Sequence, residues 1–235
     1  MCTLTFIPTS NKGFILTSNR DEAPGRKTLP PKIYYENNTG LLFPKDELAG
    51  GTWIGVSDKK RLVCLLNGGF TAHERKDEYR MSRGIIVTHL LTVDDAVSEV
   101  KKYDFEGIEP FTIVMVDWSH HLRIFELVWD ETDIHFSEKP LAPQIWSSSL
   151  LYTEKMKQKR EQWFSGFLFE NLRPTSEKIL HFHKTAGEGN TESDVIMDRG
   201  FVKTKSITQV VKNDEVTMRY EDLEKEAVFK ESFSA

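Results

Sequence analysis

Apolar stretches of strand length fill the first third of the chain. Cys2 to Ile7 and Phe14 to Thr17 flank the segment PTSNKG, whose Pro, Ser, Asn and Gly favour a chain reversal. Thr52 to Val56 and Leu62 to Leu66 flank SDKK in the same way, and the second stretch ends at NGG. The pattern therefore predicts two hairpins and a first third that is mostly β.

Helical periodicity begins after Met81. The segments SRGIIVTHLL and TVDDAVSEVKKY predict two helices, the second with Thr92 and Asp95 as a capping box. Thr153 to Phe169 predicts the clearest helix, because large apolar residues recur on one face and lysines occupy the rest, and Glu177 to Phe182 predicts another short one. Strand-like segments lie between and after these helices: FTIVMVDW, LRIFELVWD, DIHFSE, SITQVVK, EVTMRYEDL and AVFKESF.

The order of elements is β, α, β, α, β, without regular alternation of single strands and helices. Such an order predicts a layered α+β fold rather than a doubly wound parallel sheet. The 235 residues, 39% apolar and 29% charged, have the composition of an ordinary globular protein. We expect one domain over residues 1–235.

Charge and cysteine content restrict the partners and the compartment. The net charge is -5 and basic residues are interleaved with acidic ones, which argues against nucleic acid as a partner. Cys2 and Cys64 are too few for a secreted disulfide framework. The first residues lack the features of a signal peptide, and no stretch approaches membrane-spanning length. We expect a cytoplasmic protein without an integral membrane segment, and the sequence leaves the oligomeric state open.

Candidate chemistry lies at the N-terminus. Removal of Met1 would give Cys2 both a thiol, with a pKa of ~8.5, and an α-amine, with a pKa of ~7.7 to 8.0, so that the amine can accept the thiol proton. The thiolate is then the nucleophile. Asp21 could accept hydrogen bonds from the amine, and Arg20 could lower the thiol pKa. The alternative is a small residue that follows Met1 by accident and an NRDE segment that forms a solvated turn.

Several other residues invite a functional interpretation. Trp53 is either a core ring or a wall of a substrate pocket, and Cys64, in an apolar strand, is expected to be a buried hydrophobic residue. Two pairs of histidines, His120 with His121 and His181 with His183, could bind a metal or a haem iron. They lack zinc-type spacing with paired cysteines. Surface turns or helix faces explain them better, so we predict no metal site.

Six segments resemble, in order, the landmarks of one known family. They are MCTLTF, SNRDE, GGTWIGV, LLNGG, SRG and FKESF. This succession resembles the NRDE-motif family, also called the transport and Golgi organisation protein 2 family, over nearly the whole chain. The resemblance implies an N-terminal nucleophile hydrolase fold, a four-layer αββα sandwich with two antiparallel sheets between helical layers.

A more distant resemblance, to the bile-salt hydrolase and penicillin-acylase group, implies roles for individual residues. Cys2 is then nucleophile and base, Asp21 orients the amine and Arg20 assists the thiol, although the Arg-to-Asp spacing differs from that group. Asn67 resembles a position whose backbone N–H helps to bind an oxyanion. The residues assigned to substrate binding are Asn19, Trp53, Ser148 and Lys205.

Two of these positions depart from the pattern of relatives. Ser148 stands where an Asn would be a second oxyanion donor, and its hydroxyl has a shorter reach. Lys205 stands where Arg is common and lacks the bidentate geometry of a guanidinium.

Two functions follow as hypotheses. The first is an N-terminal cysteine amidohydrolase or acyltransferase acting on a small amide, which needs no metal or organic cofactor. The second, implied by the association of the family with haem trafficking and lipid homeostasis, is a non-catalytic carrier of a hydrophobic ligand such as haem or lipid in the same cleft. The expected partner is accordingly a small-molecule substrate or a hydrophobic ligand.

Overall fold

The chain forms two compact units, each built on one antiparallel sheet. The structure, a computed structural model, describes residues 3–10 and 12–234. One unit comprises the chain up to Arg26 together with Ala142–Ser232, and the other comprises Lys27–Leu141 and the residues from Phe233 onwards. The expectation of a single domain stays a prediction.

Thirteen strands and four helices are found in the described residues. The strands are β1 (Thr3–Pro8), β2 (Phe14–Glu22), β3 (Thr28–Glu36), β4 (Thr39–Asp46), β5 (Ile54–Ser57), β6 (Arg61–Asn67), β7 (Phe111–Asp117), β8 (Arg123–Trp129), β9 (Ile134–Lys139), β10 (Gln144–Ser147), β11 (Lys203–Lys212), β12 (Val216–Asp222) and β13 (Ala227–Phe233). The helices are α1 (Arg83–Thr92), α2 (Ala96–Val100), α3 (Glu154–Glu170) and α4 (Ser176–Thr185). None of these helices combines the length and the apolar character that crossing a bilayer requires.

The first unit has a sheet of six strands in the order β10-β1-β2-β11-β12-β13. Successive side chains of a strand point to opposite faces. On the face that α3 and α4 cover, Ile7 and Ile15 pack in one cluster with Phe164, Ile179 and Phe182. The centre of this sheet, where β2 lies between β1 and β11, is therefore buried.

The second unit has a sheet of seven strands in the order β3-β4-β5-β6-β7-β8-β9, with α1 packed on β5 and β6. Two of the landmark segments meet here through their glycines. A Cβ atom on Gly51 would lie 2.9 Å from the carbonyl carbon of Gly84, and one on Gly84 would lie 2.8 Å from the carbonyl oxygen of Thr52. Because both obstacles are backbone atoms, only glycine permits α1 to approach this closely.

The prediction of an α+β fold with antiparallel sheets is confirmed, and so is the long helix, which Thr153 caps through its side chain. Strands β3 and β4 were not predicted individually. Pro30 and Pro31 interrupt the apolar pattern of β3, which tolerates them because it is an edge strand with a register shift between Leu29 and Lys32.

The predicted start of the second helix is wrong. Thr92 ends α1, and its hydroxyl donates a hydrogen bond to the carbonyl oxygen of His89 (2.9 Å). Asp95 caps α2 instead, where its carboxylate accepts a hydrogen bond from the backbone N–H of Ser98 (3.0 Å). A capping box requires a non-helical residue at its first position, and Thr92 is instead the last residue of α1.

Candidate active site

The NRDE segment lies inside a strand. Asn19, Arg20 and Asp21 belong to β2 and are at most 3% exposed, and only Glu22 is partly accessible. The alternative that this segment forms a solvated turn is therefore wrong. Its polar character has to be explained by partners within the unit, because buried polar groups are costly without them.

Two hydroxyl groups orient the carboxylate of Asp21. Its Oδ2 accepts a hydrogen bond from the phenol of Tyr152 (2.7 Å), and its Oδ1 accepts one from Oγ1 of Thr204 (2.5 Å). Thr204 is itself fixed. It lies in β11 and pairs with Asp21 of β2, and its Oγ1 accepts a hydrogen bond from the N–H of Met197 (2.9 Å). Hydrogen bonds to a carboxylate are stronger than neutral ones, so this carboxylate is held in one orientation.

Arg20 points to the opposite face of the sheet from Asp21, as neighbours in a strand do. Its Nη2 lies 3.6 Å from Oε2 of Glu22, two residues along β2 on the same face. Glu22 is also within 3.8 Å of Nε of Arg26. The sequence-adjacent pair assigned to catalysis is thus divided between the two faces of one strand.

The side chain of Asn19 is engaged in a buried network. Its amide nitrogen donates to the carbonyl oxygens of His183 (3.1 Å) and Val195 (2.9 Å), which identifies its Oδ1 as the atom that faces Nδ1 of His183 (2.7 Å). Nδ1 therefore carries the proton, and Nε2 accepts a hydrogen bond from the hydroxyl of Thr5 (2.8 Å).

His183 is neutral in this network. Burial and, second, the charge of Arg160 lower the pKa of His183 to about 3. Both amide hydrogens of Asn19 are donated to backbone carbonyls, so the geometry supports a role in joining β2 to α4. The assignment of Asn19 to substrate binding stays a prediction.

Lys205 is the extra residue of a bulge in β11, between the pairs that Thr204 and Ser206 make with β2. Its ammonium group contacts the carbonyl oxygens of Pro24 (2.5 Å) and Arg26 (2.7 Å) and the carboxylate of Glu224 (2.9 Å). These three acceptors match its three hydrogens. Lys205 therefore holds the segment that follows β2, and its predicted contact with a substrate stays untested.

Ser148 lies at the same end of the sheet. It follows β10, whose last residue, Ser147, pairs with Thr3. Ser148 is 1% exposed, and its carbonyl oxygen accepts a hydrogen bond from the N–H of Tyr152 (3.1 Å). Ser148 therefore lies next to the pairing of β10 with β1, whereas Arg20 and Asp21 lie on opposite faces of the neighbouring strand β2.

The remaining predicted site residues, Asn67 and Trp53, belong to the second unit. Asn67 ends β6 and precedes Gly68, whose φ of 88° favours glycine. The N–H of Gly68 donates to the carbonyl oxygen of Pro110 (3.1 Å), which also accepts a hydrogen bond from Nη1 of Arg83 (3.1 Å). Arg83 of the SRG landmark therefore supports the turn of the LLNGG landmark. Trp53 is buried.

Cys2 lies outside the described residues, and its role stays a prediction. Thr3, to which it is bonded, pairs with Asn19. Cys64 is fully buried in β6, which confirms its prediction as a core residue.

The histidine pairs have different environments. His120, His121 and His181 are exposed, whereas His183 belongs to the buried network above. Across residues 3–10 and 12–234, no three His, Cys, Asp or Glu side chains come together as a metal site would require.

Sequence reasoning missed Tyr152, Thr204 and Arg160. The first two lie 131 and 183 residues from the carboxylate they contact. Tyr152 follows an apolar segment and Thr204 precedes a strand, so neither stands in a recognisable motif. Arg160 could have been noticed as a charged residue on the apolar face of α3.

Several solved structures have the same fold. A conjugated bile acid hydrolase variant from Clostridium perfringens has a TM-score of 0.62 at 9% identity, over 98% of this chain and 92% of that one. An N-acylethanolamine-hydrolyzing acid amidase ortholog from Caenorhabditis elegans has a TM-score of 0.62 at 12% identity, over 88% and 92%. Penicillin V acylase from Agrobacterium tumefaciens has 0.58 at 11%, over 98% and 85%. The predicted fold of N-terminal nucleophile hydrolase type is confirmed.

Sequence relatives identify the family. The chain is 34% identical over 110 residues to the Transport and Golgi organization protein 2 homolog of Homo sapiens, a match that covers 45% of this chain and 39% of that protein. It is 36% identical over 113 residues to the Transport and Golgi organization 2 homolog of Mus musculus, with the same coverage. The chain thus spans about two fifths of the length of the curated relatives it matches. Since the family's sequence model matches residues 1–225, the chain belongs to the Transport and Golgi organisation 2 family.

Proposed function

We propose that the chain is an amidohydrolase or acyltransferase in which Cys2, freed as the N-terminal residue by removal of Met1, attacks a small amide. The observation that carries this proposal is the buried carboxylate of Asp21, oriented by Tyr152 and Thr204. The strand that holds it runs beside Thr3, the residue bonded to Cys2. A carboxylate in this position suits an acceptor for hydrogen bonds from an N-terminal ammonium group.

The fold supports the same class of chemistry. The three solved structures with this fold are named as a bile acid hydrolase, a penicillin acylase and an acid amidase. One of these names, the acid amidase, states an amide-hydrolysing activity of that protein. Fold alone does not determine function, so the proposal rests on the residues at the start of β1.

The reaction needs no metal or organic cofactor. The α-amine of Cys2 accepts the thiol proton, and the sulfur forms a bond to the amide carbon while the carbonyl oxygen becomes an oxyanion. Collapse of this intermediate breaks the C–N bond, and the leaving amine takes the proton from the α-ammonium group. Water then hydrolyses the thioester, which releases the acid and restores the thiol; an acceptor amine in place of water gives acyl transfer.

The other predicted residues have defined roles within the proposal. Asp21 orients the α-amine, and Arg20 stabilises the thiolate as a nearby cation. The hydroxyl of Ser148 is the proposed oxyanion donor within the first unit, and the role of the backbone N–H of Asn67 stays a prediction from the sequence.

The test combines intact mass with chemical labelling. Protein purified from cells is weighed before and after reaction with a thiol-directed acyl probe, alongside Cys2→Ala and Cys64→Ala variants. We expect Met1 to be absent, a single adduct on Cys2 and hydrolysis of N-acyl amides that Cys2→Ala abolishes. Cys64→Ala is the matched control, because it removes the other cysteine and should keep the adduct.

Retained Met1, or a Cys2 that stays inert in the folded protein, would overturn the proposal. Saturable haem binding that Cys2→Ala leaves unchanged, together with absent acylation, would favour the carrier function instead.

A further inference from the structure

Arg160 of α3 is a fully buried cation, and within residues 3–10 and 12–234 the hydrogen-bond acceptors found for its guanidinium are backbone carbonyl oxygens and one hydroxyl, not a carboxylate. Nη2 donates to the carbonyl oxygens of Ser193 (3.0 Å) and Asp194 (2.7 Å), and Nη1 donates to the hydroxyl oxygen of Thr3 (2.9 Å). A buried charge without an ionic partner is costly. An arginine at this position therefore has a role beyond the packing of α3.

The face of this guanidinium lies on the ring of Tyr152, with 3.4 Å between Cζ of Arg160 and the ring centroid. Arg199 approaches the same ring at 5.4 Å. A cation over an aromatic ring is attracted to its π electrons, and it withdraws electron density from the ring and its substituents. The phenol polarised in this way is the one that donates to Asp21 (2.7 Å).

Arg160 therefore contacts two residues that adjoin the proposed centre from different sides. Through Tyr152 it reaches the carboxylate of Asp21, and through its hydrogen bond to Thr3 it reaches the residue bonded to Cys2. Both contacts are short and buried, so they fix the positions of the residues they join. Solvent does not screen them as it screens a charge on the surface.

We propose that Arg160 is a positioning residue of the Cys2 reaction, which holds Thr3 directly and Asp21 through Tyr152 so that nucleophile and carboxylate keep a fixed relation. The inference rests on the proposed function. It adds to that function a residue on α3 that no motif contains.

The test measures the rate constant for acylation of Cys2 by the thiol-directed probe in folded protein. Arg160→Met removes the charge and the hydrogen bonds and is expected to slow acylation roughly tenfold. Arg160→Lys retains a cation near the ring and is expected to recover part of that loss. Phe164→Leu is the matched control, because it disturbs the same helix one turn away without touching Thr3 or Tyr152.

A double-mutant cycle separates positioning from general stability. Tyr152→Phe deletes the phenol oxygen that contacts Asp21 but keeps the ring under Arg160, so it preserves a usable test even if Arg160→Met does not fold. We expect Arg160→Lys and Tyr152→Phe each to be acylated more slowly than the parent. The double variant Arg160→Lys/Tyr152→Phe should have a smaller loss of acylation rate than the product of the two separate losses, because the two residues act in one chain of contacts.

Independent, multiplicative effects in that cycle would overturn the inference. So would a Phe164→Leu variant that slows acylation as much as Arg160→Met at an equal loss of thermal stability. If Cys2 of the unaltered protein is not acylated at all, the proposed function fails and the inference fails with it. If Cys2 is reactive and substitutions of Arg160 and Tyr152 leave its acylation rate unchanged, the inference is refuted and the proposed function stands.

Discussion

Replacing His183 with Gln should flatten the pH dependence of stability. Burial, followed by the charge of Arg160, lowers the pKa of His183 from 6.5 to about 3. In the unfolded chain the imidazole takes up a proton below pH 6.5, whereas in the folded chain it stays neutral until about pH 3. The unfolded state then binds more protons, so the free energy of unfolding falls as the pH decreases through this window.

The size of the effect follows from the same two pKa values. Within the window, each pH unit lowers the free energy of unfolding by about 1.4 kcal/mol. Between pH 7 and pH 5, where protonation of the unfolded imidazole develops, the loss is about 2 kcal/mol. Because His183 is fully buried, solvent screening does not reduce this value. Gln in its place cannot be protonated, so the variant lacks this part of the pH dependence.

Urea unfolding at pH 7, 6 and 5 checks this prediction. His183→Gln should be less stable than the parent at pH 7, because the hydrogen bonds to Asn19 and Thr5 are disturbed. The difference between the two proteins should shrink by about 2 kcal/mol at pH 5. His181→Gln, on the exposed side of the same helix, is the control and should follow the parent. Parallel curves for the parent and His183→Gln would refute the reasoning.

Other substitutions test separate parts of the structure. Lys205→Met should lower the free energy of unfolding by about 2 kcal/mol, because two backbone carbonyls lose a buried charged donor; an unchanged urea midpoint would contradict that role. Gly84→Ala should destabilise by about 1 to 3 kcal/mol, since the new Cβ would meet the backbone of Thr52 at 2.8 Å. Gly166→Ala, exposed in α3 with nothing within 4 Å of the new Cβ, should instead stabilise by about 0.5 to 1 kcal/mol. Equal shifts in Tm for the two alanine variants would show that the contact with Thr52 is unimportant.

Local patterns were sufficient where the cause of a structure is local. The β1–β2 hairpin and the cap of α3 by Thr153 follow from turn residues and side-chain hydrogen bonds a few positions apart. Strand β3 was harder, because its prolines are tolerated only at the edge of a sheet. The start of α2 was misassigned because two residues compete locally to cap it.

For the candidate site, the sequence indicated the residues better than their arrangement. NRDE, LLNGG and SRG were identified as landmarks, and β2 does carry Asn19, Arg20 and Asp21. Strand periodicity, however, divides Arg20 from Asp21 and turns Asn19 towards His183. The bulge in β11 directs Lys205 to the segment after β2.

By itself, the sequence determined the fold class and the family, because these depend on residue order, periodicity and short motifs. Only the tertiary structure decided that Tyr152 and Thr204 orient Asp21 and that Arg160 lies on the ring of Tyr152. Those contacts join residues more than 100 positions apart or on separate elements. No local pattern specifies them, since the pairing of β2 with β11 and the packing of α3 on the sheet bring them together.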